Sequence, residues 1–343
     1  LKQSGAITVT PEAAELHDSS LVLDCHSHFL INGYLLRRPF NHKGASPRFY
    51  NPLKNALSLD KVRRGGLNAL AFTTYTPGRP FFRKTDAATH RILDRYQELL
   101  RENPELLHCT TADQITEAWR QGRIAAFPAI EGAHVLEGRL ENIDRFYDRG
   151  VRIVTLTHFI SNGIADAAQS PWKPLGGLSS FGREVVQRMQ QLGMLVDVAH
   201  CSDEALKGVM AAATGPVVCT HSGLRRFRNI KRNLDHWAVK AIAESGGLFG
   251  VILFPNYLGR AGTGGTNLRA AAATARAVAE IADPSIICLG SDMDGYTWLP
   301  RGMADASDMP QFTQALLDAG FNKDEVVGIL GGNFLRVFKK VCG

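Results

Sequence analysis

Only six cysteines occur in 343 residues, too few for a disulfide scaffold. Three of them, Cys25, Cys219 and Cys288, sit inside apolar runs, where a buried free thiol is the expected state and a single bridge the alternative. Long hydrophobic runs are lacking as well: none approaches the roughly 20 residues that cross a membrane as a helix, so no membrane-spanning segment is expected. No Asn-x-Ser/Thr sequon is present, which weighs against a heavily glycosylated secreted protein. After the first apolar run there is no glycine-rich phosphate loop of the kind an open, doubly wound nucleotide-binding sheet carries. Low-complexity tracts and repeats beyond a strand-helix unit are missing too. The chain opens on Leu1 and not on Met, so it reads as processed or trimmed. That leaves the compartment open between the cytoplasm and export after removal of a signal peptide.

What is present is the composition of an ordinary soluble globular protein, with 45% apolar and 21% charged residues. The net charge is +6, yet the basic residues are dispersed except for Arg225, Arg226, Arg228, Lys231 and Arg232. A solvated loop face explains most such clusters, and this one lacks the interleaved aromatics of a nucleic-acid surface. No nucleic-acid partner is therefore expected. Because the cluster follows His221 closely, part of it is placed to hold an anionic group on a substrate.

Eight apolar runs read as strands: 21–26, 67–74, 124–130, 151–157, 194–200, 216–221, 247–254 and 285–291. Helical patterns separate them. Ser180 is a candidate cap for a helix ending at Gly193, Ser202 with Asp203 and Glu204 opens another, and Gly150 can close the helix before the fourth run. Continuous apolar strands alternating with amphipathic helices imply a parallel sheet covered by helices, and eight units imply a closed (β/α)8 TIM barrel of the metal-dependent hydrolase type. One domain over residues 1–343 is expected, with irregular excursions at 30–60 and 256–267 over the barrel mouth. The second excursion contains the glycine-rich run Gly262–Gly265.

Six of the runs finish in a polar side chain suited to metal or proton chemistry: His26-Ser-His28, Glu131, His158, His200, His221 and Asp292. Singly, each resembles a satisfied polar residue at a loop mouth. In a barrel, all strand C-termini open on one face, so the six become neighbours. Residues i and i+2 of a strand share a side, which lets His26 and His28 reach one ion. His200 and His221 would hold a second ion, and Glu131 would bridge the two. Nitrogen and carboxylate ligands suit zinc better than magnesium or calcium. Such a pair polarises a carbonyl and makes water nucleophilic near neutral pH. Asp292 is the candidate proton shuttle, preferred to Asp294 because it comes first after the apolar run. His158 is left either as a donor to a developing oxyanion or as a strand-end histidine bonded to backbone.

The motifs DCHSHF, AIEGAH, TLTHF, GMLVDVAHCS, PVVCTHSG, KRNL, GSDMDG and GNFLRVF, in this order, resemble those of the membrane (renal-type) dipeptidases of the amidohydrolase superfamily. The resemblance runs from about residue 21 to 340. It implies a binuclear zinc barrel that hydrolyses dipeptides and tolerates a D-residue at the C-terminal position. Glu131 would then bridge the metals, as a carboxylated lysine does in many relatives. His158 would contact the substrate near its carbonyl, and Arg232 would bind the terminal carboxylate. Barrels of this kind commonly dimerise and so does the family, so a homodimer is expected. One departure is that vertebrate members carry His-x-Asp where this chain has His26-Ser-His28, leaving the first site one negative charge poorer. Another is that the segments 30–60 and 256–270, which should shape the side-chain pockets, offer little to match. The alternatives are a related hydrolase of an amide, lactam, lactone or phosphoester, or a non-hydrolytic protein that keeps the scaffold.

Overall fold

The computed structural model describes residues 5–30, 34, 56–78, 84–259, 267–296 and 298–343. Among these residues nine strands form one sheet: β1 Val22–Ser27, β2 Leu67–Tyr75, β3 Leu106–His108, β4 Ile124–Glu131, β5 Ile153–Thr155, β6 Leu195–Asp197, β7 Val217–Ser222, β8 Leu248–Val251 and β9 Ile287–Leu289. Every pairing is parallel. The order β2-β1-β9-β8-β7-β6-β5-β4 closes through β2 against β4, giving the expected eight-stranded barrel surrounded by helices. β3 lies outside that ring. It pairs with residues 124–126 of β4, while β5 takes residues 129–131 of the same edge.

The strands are apolar almost throughout because both of their faces are covered. Outward residues such as Val22, Leu70, Phe72, Ile130 and Val154 pack with helical side chains in one large cluster. Inward residues Leu23, Cys25, Ala125, Phe127, Leu195, Val218 and Cys288 fill the barrel. Its base is plugged by the final helix, Asn333–Cys342, whose Phe334 and Phe338 sit 5.7 Å and 5.6 Å from the ring of Phe127. All six cysteines are free, and Cys25, Cys219 and Cys288 are buried as expected.

The helix signals hold with one shift. The helix Ser180–Leu192 is capped by Ser179, whose extended backbone lets its oxygen accept from the Gly182 N–H at 2.9 Å; Ser180 is already helical. Ser202 caps Asp203–Ala212, and Gly150 follows the helix Glu141–Asp148 with φ 88°. Most of the excursion 30–60 and the run Gly262–Gly265 lie outside the described residues. Four expected strands are shorter than their apolar runs: β5, β6 and β9 keep three residues each and β8 keeps four. Beyond them the chain leaves the ladder, and His158, His200 and Asp292 all stand on this departing backbone.

Candidate metal centre

The strand-end residues meet around Glu131, the last residue of β4. Its Oε1 lies 3.0 Å from His200 Nε2, 3.3 Å from His221 Nε2 and 3.6 Å from His26 Nε2. Its Oε2 lies 3.3 Å from His28 Nε2 and 3.5 Å from His158 Nε2. The pairs foreseen from spacing are together: His26 and His28 are 3.0 Å apart at Nε2, as are His200 and His221. Asp292 Oδ1 is 3.1 Å from His28 Nε2. Asp294 is turned elsewhere, accepting the backbone N–H of Ala56 at 2.6 Å and of Leu57 at 3.3 Å.

Unusual backbone brings these groups in. His200, Asp292 and Asp294 have φ of 66°, 58° and 65°, the left-handed region where Asp, Asn and His are the least penalised residues with side chains. Asp292 is anchored by its N–H to His26 O at 2.9 Å, and His28 N–H reaches Met293 O at 2.8 Å. Gly295 leaves the space that this approach needs, since a Cβ there would stand 2.5 Å from His28 Cδ2.

Two clusters can each hold a metal ion: His26 with His28 and Asp292, and Glu131 with His158 and His200, the ligand atoms of each lying within 4.8 Å of one another. The donor set fits. Glu131 is 1% exposed, yet neither of its oxygens receives a hydrogen bond from any described residue. A buried carboxylate without donors calls for a cation. A third grouping, of His26 and His221 with Asp197, is weakened because hydrogen bonds already occupy both Asp197 oxygens.

Burial lowers the pKa of His26 and of His158 to about 4, and that of His200 and His221 well below the ordinary range. Burial thus favours the neutral form of these four rings, the form in which an imidazole ligates. Burial opposes ionisation of Glu131 also, but the surrounding imidazoles hold its pKa well below the usual carboxylate value. His28 differs: burial pulls it down, and Glu131 and Asp292 outweigh that and push it up to about 10. Negative potential is therefore greatest where these two carboxylates converge.

Above the cluster opens a cavity of about 330 Å³, walled by Tyr75, Phe159, Phe254, Tyr257 and Tyr296. His158 lines it, with Nδ1 unpartnered among the described residues, so no hydrogen bond among them supports the backbone-bonded alternative. The basic cluster divides. Arg225 pairs with Asp203 and Arg226 with Glu280, whereas Arg232 is 2% exposed. Its Nη2 donates to His221 O at 2.8 Å, while Nε and Nη1 have no hydrogen-bond partner among the described residues.

Three buried polar residues beneath these histidines escaped the sequence reading. Asp24 accepts the N–H groups of Ser291 at 2.9 Å and His26 at 3.2 Å, together with the Ser291 hydroxyl. Burial raises its pKa to about 7. Asp197 and Thr220 form a second polar knot under His26 and His221. Each of the three interrupts an apolar run, LVLDC, MLVDV or PVVCT, and that interruption was the available signal.

The family model described as membrane dipeptidase (peptidase family M19) matches residues 10–342. The chain belongs to this family. Dipeptidase 3 of Rattus norvegicus is 29% identical over 321 residues, which cover 91% of this chain and 65% of that protein; the chain thus spans slightly less than two thirds of this relative. Among solved structures, the probable dipeptidase PvdM from Pseudomonas aeruginosa superposes with a TM-score of 0.86 at 22% identity, covering 96% of this chain and 97% of that one. A metallopeptidase from Rhodobacter sphaeroides, liganded with a phosphinate mimic of the dipeptide L-Ala-D-Ala, has a TM-score of 0.80 at 20% identity, covering 94% and 100%. These structures share the fold of this membrane dipeptidase family member.

Proposed function

We propose that this chain is a binuclear zinc-dependent dipeptidase acting on small dipeptides with a free C-terminal carboxylate, L-D dipeptides included. The observation that carries the reading is Glu131: a buried carboxylate without a hydrogen-bond donor, ringed by five imidazole Nε2 atoms within 3.6 Å. His26, His28 and Glu131 would hold one ion, and Glu131, His200 and His221 the other. Bound there, the ions supply Lewis acidity at the scissile carbonyl and a nucleophilic water near neutral pH.

The chain's own residues do the rest. Arg232 has two unspent guanidinium nitrogens in a buried setting, suited to a bidentate carboxylate. Asp292, on the cavity wall, takes the proton of the attacking water and returns it to the departing amine. His158 faces the same cavity and donates to the oxygen on which charge develops. Substrates with a D-residue are included because the Rhodobacter sphaeroides relative is liganded with a mimic of L-Ala-D-Ala and because the motif resemblance extends to the same class. A homodimer belongs to the proposal and is tested by solution mass.

The deciding experiment is a dipeptide panel with L- and D-residues at the second position. Amino-acid release that disappears on chelation and returns with zinc is expected. Metal-loaded protein inactive on every member would overturn the reading.

A further inference from the structure

At Thr220, β7 pushes into the barrel. Gly250 on β8 and Gly290 beyond β9 face its carbonyl oxygen, and a Cβ at either would lie 1.7 Å from that atom. Only glycine at both positions admits the bulge, which also appears as a break in register between Cys219 and Ser222. The bulge carries the Thr220 hydroxyl to a point beneath two imidazoles. Its Oγ1 is 2.9 Å from His221 Nδ1, 3.3 Å from His26 Nδ1 and 2.7 Å from Asp197 Oδ2. The two rings stack above it with centroids 3.8 Å apart.

A hydroxyl has one proton and two lone pairs. Asp197 already accepts the N–H of Ala199 at 3.0 Å and of Thr220 at 2.9 Å on Oδ1, and the Thr155 hydroxyl at 2.5 Å on Oδ2. Surrounded by donors, it takes the Thr220 proton as well. The lone pairs of Thr220 then face the two Nδ1 atoms, which must bring protons to them. That leaves Nε2 of both rings bare and directed at Glu131. Among the five imidazoles, Nδ1 of His28, His158 and His200 has no hydrogen-bond partner among the described residues; the two that have one share this single oxygen.

We infer that Thr220 is a positioning residue common to both halves of the metal centre, with one hydroxyl, oriented by Asp197, setting the tautomer of a ligand to each ion. The inference rests on the binuclear reading above, but its first measurement does not need a metal. In metal-free protein labelled with 15N-histidine, long-range proton-nitrogen spectra report the tautomer of each ring, and His26→Gln and His221→Gln identify the two signals. Both rings are expected as Nδ1–H in the wild type. Either ring as Nε2–H overturns the inference. The second measurement is zinc and cobalt affinity by competition with a chromophoric chelator. Thr220→Val, which keeps the shape and loses the hydroxyl, should weaken both ions by about 10- to 100-fold, and Thr220→Ser should restore them. Wild-type affinity for either ion in Thr220→Val overturns the shared role. Wild-type protein that binds no metal overturns the binuclear reading instead, while the ring tautomers still decide the role of Thr220.

Discussion

At the scale of single residues, the site concentrates negative charge at one end. His28 lies between Glu131 and Asp292, at the position where vertebrate members of the family carry aspartate. His28→Asp adds a third carboxylate to that corner and removes an imidazole. The expected outcome is a shift of the first site away from zinc towards harder ions such as manganese, read from metal content after dialysis against equimolar mixtures. Arg232 calls for a different measurement. Its unpaired nitrogens matter only to a substrate that ends in a carboxylate, so Arg232→Ala should lower kcat/KM for free dipeptides by about 100-fold or more, as truncating one partner of a buried charge pair does. Hydrolysis of C-terminally amidated dipeptides should change little. An equal loss on both substrates would assign Arg232 to structure alone.

At the scale of elements, the N-terminal helix Pro11–Asp18 is fastened by one buried histidine. His17 Nδ1 meets the Thr313 hydroxyl at 2.7 Å, and its Nε2 donates to Gly65 O at 2.9 Å. Burial holds its pKa below the ordinary 6.5. The unfolded chain therefore takes the proton first, so the stability contributed by the neutral ring is full above that value and is lost as the pH falls below it. His17→Gln should cost about 1–3 kcal/mol near pH 7, and its deficit against the wild type should shrink towards pH 5, as followed by urea denaturation. Other elements show where sequence reading succeeds and where it stops. Seven of the site residues were legible because each closes an apolar run, and barrel topology alone brings run ends together. The three-residue strand β3 was not, since LLH is too short to show a period. Asp24, Asp197 and Thr220 were visible as polar interruptions, but their partners depend on strand register and on an inward bulge permitted by Gly250 and Gly290. No local pattern encodes either.

At the scale of the whole molecule, chemistry and closure occupy opposite ends of the barrel. Phe338, fully buried against Phe334 and Phe127, helps to seal the base, at the end opposite the histidine cluster at the mouth. Phe338→Ala should cost about 3–5 kcal/mol of stability, lowering the urea midpoint while the folded protein keeps its metal stoichiometry and kcat. The mouth depends on the two ends of the chain in another way. The bond from Ser291 N–H to Asp24 spans 267 residues, and it joins the strand that bears His26 and leads into His28 to the loop that bears Asp292. During synthesis on the ribosome, β1 thus emerges long before the neighbour that completes it. Contacts of such long sequence separation make folding slow, and until β9 arrives one edge of β1 stays open to pairing with other chains. His26 and His28 are among the first site residues to be made, and their enclosure must await some of the last.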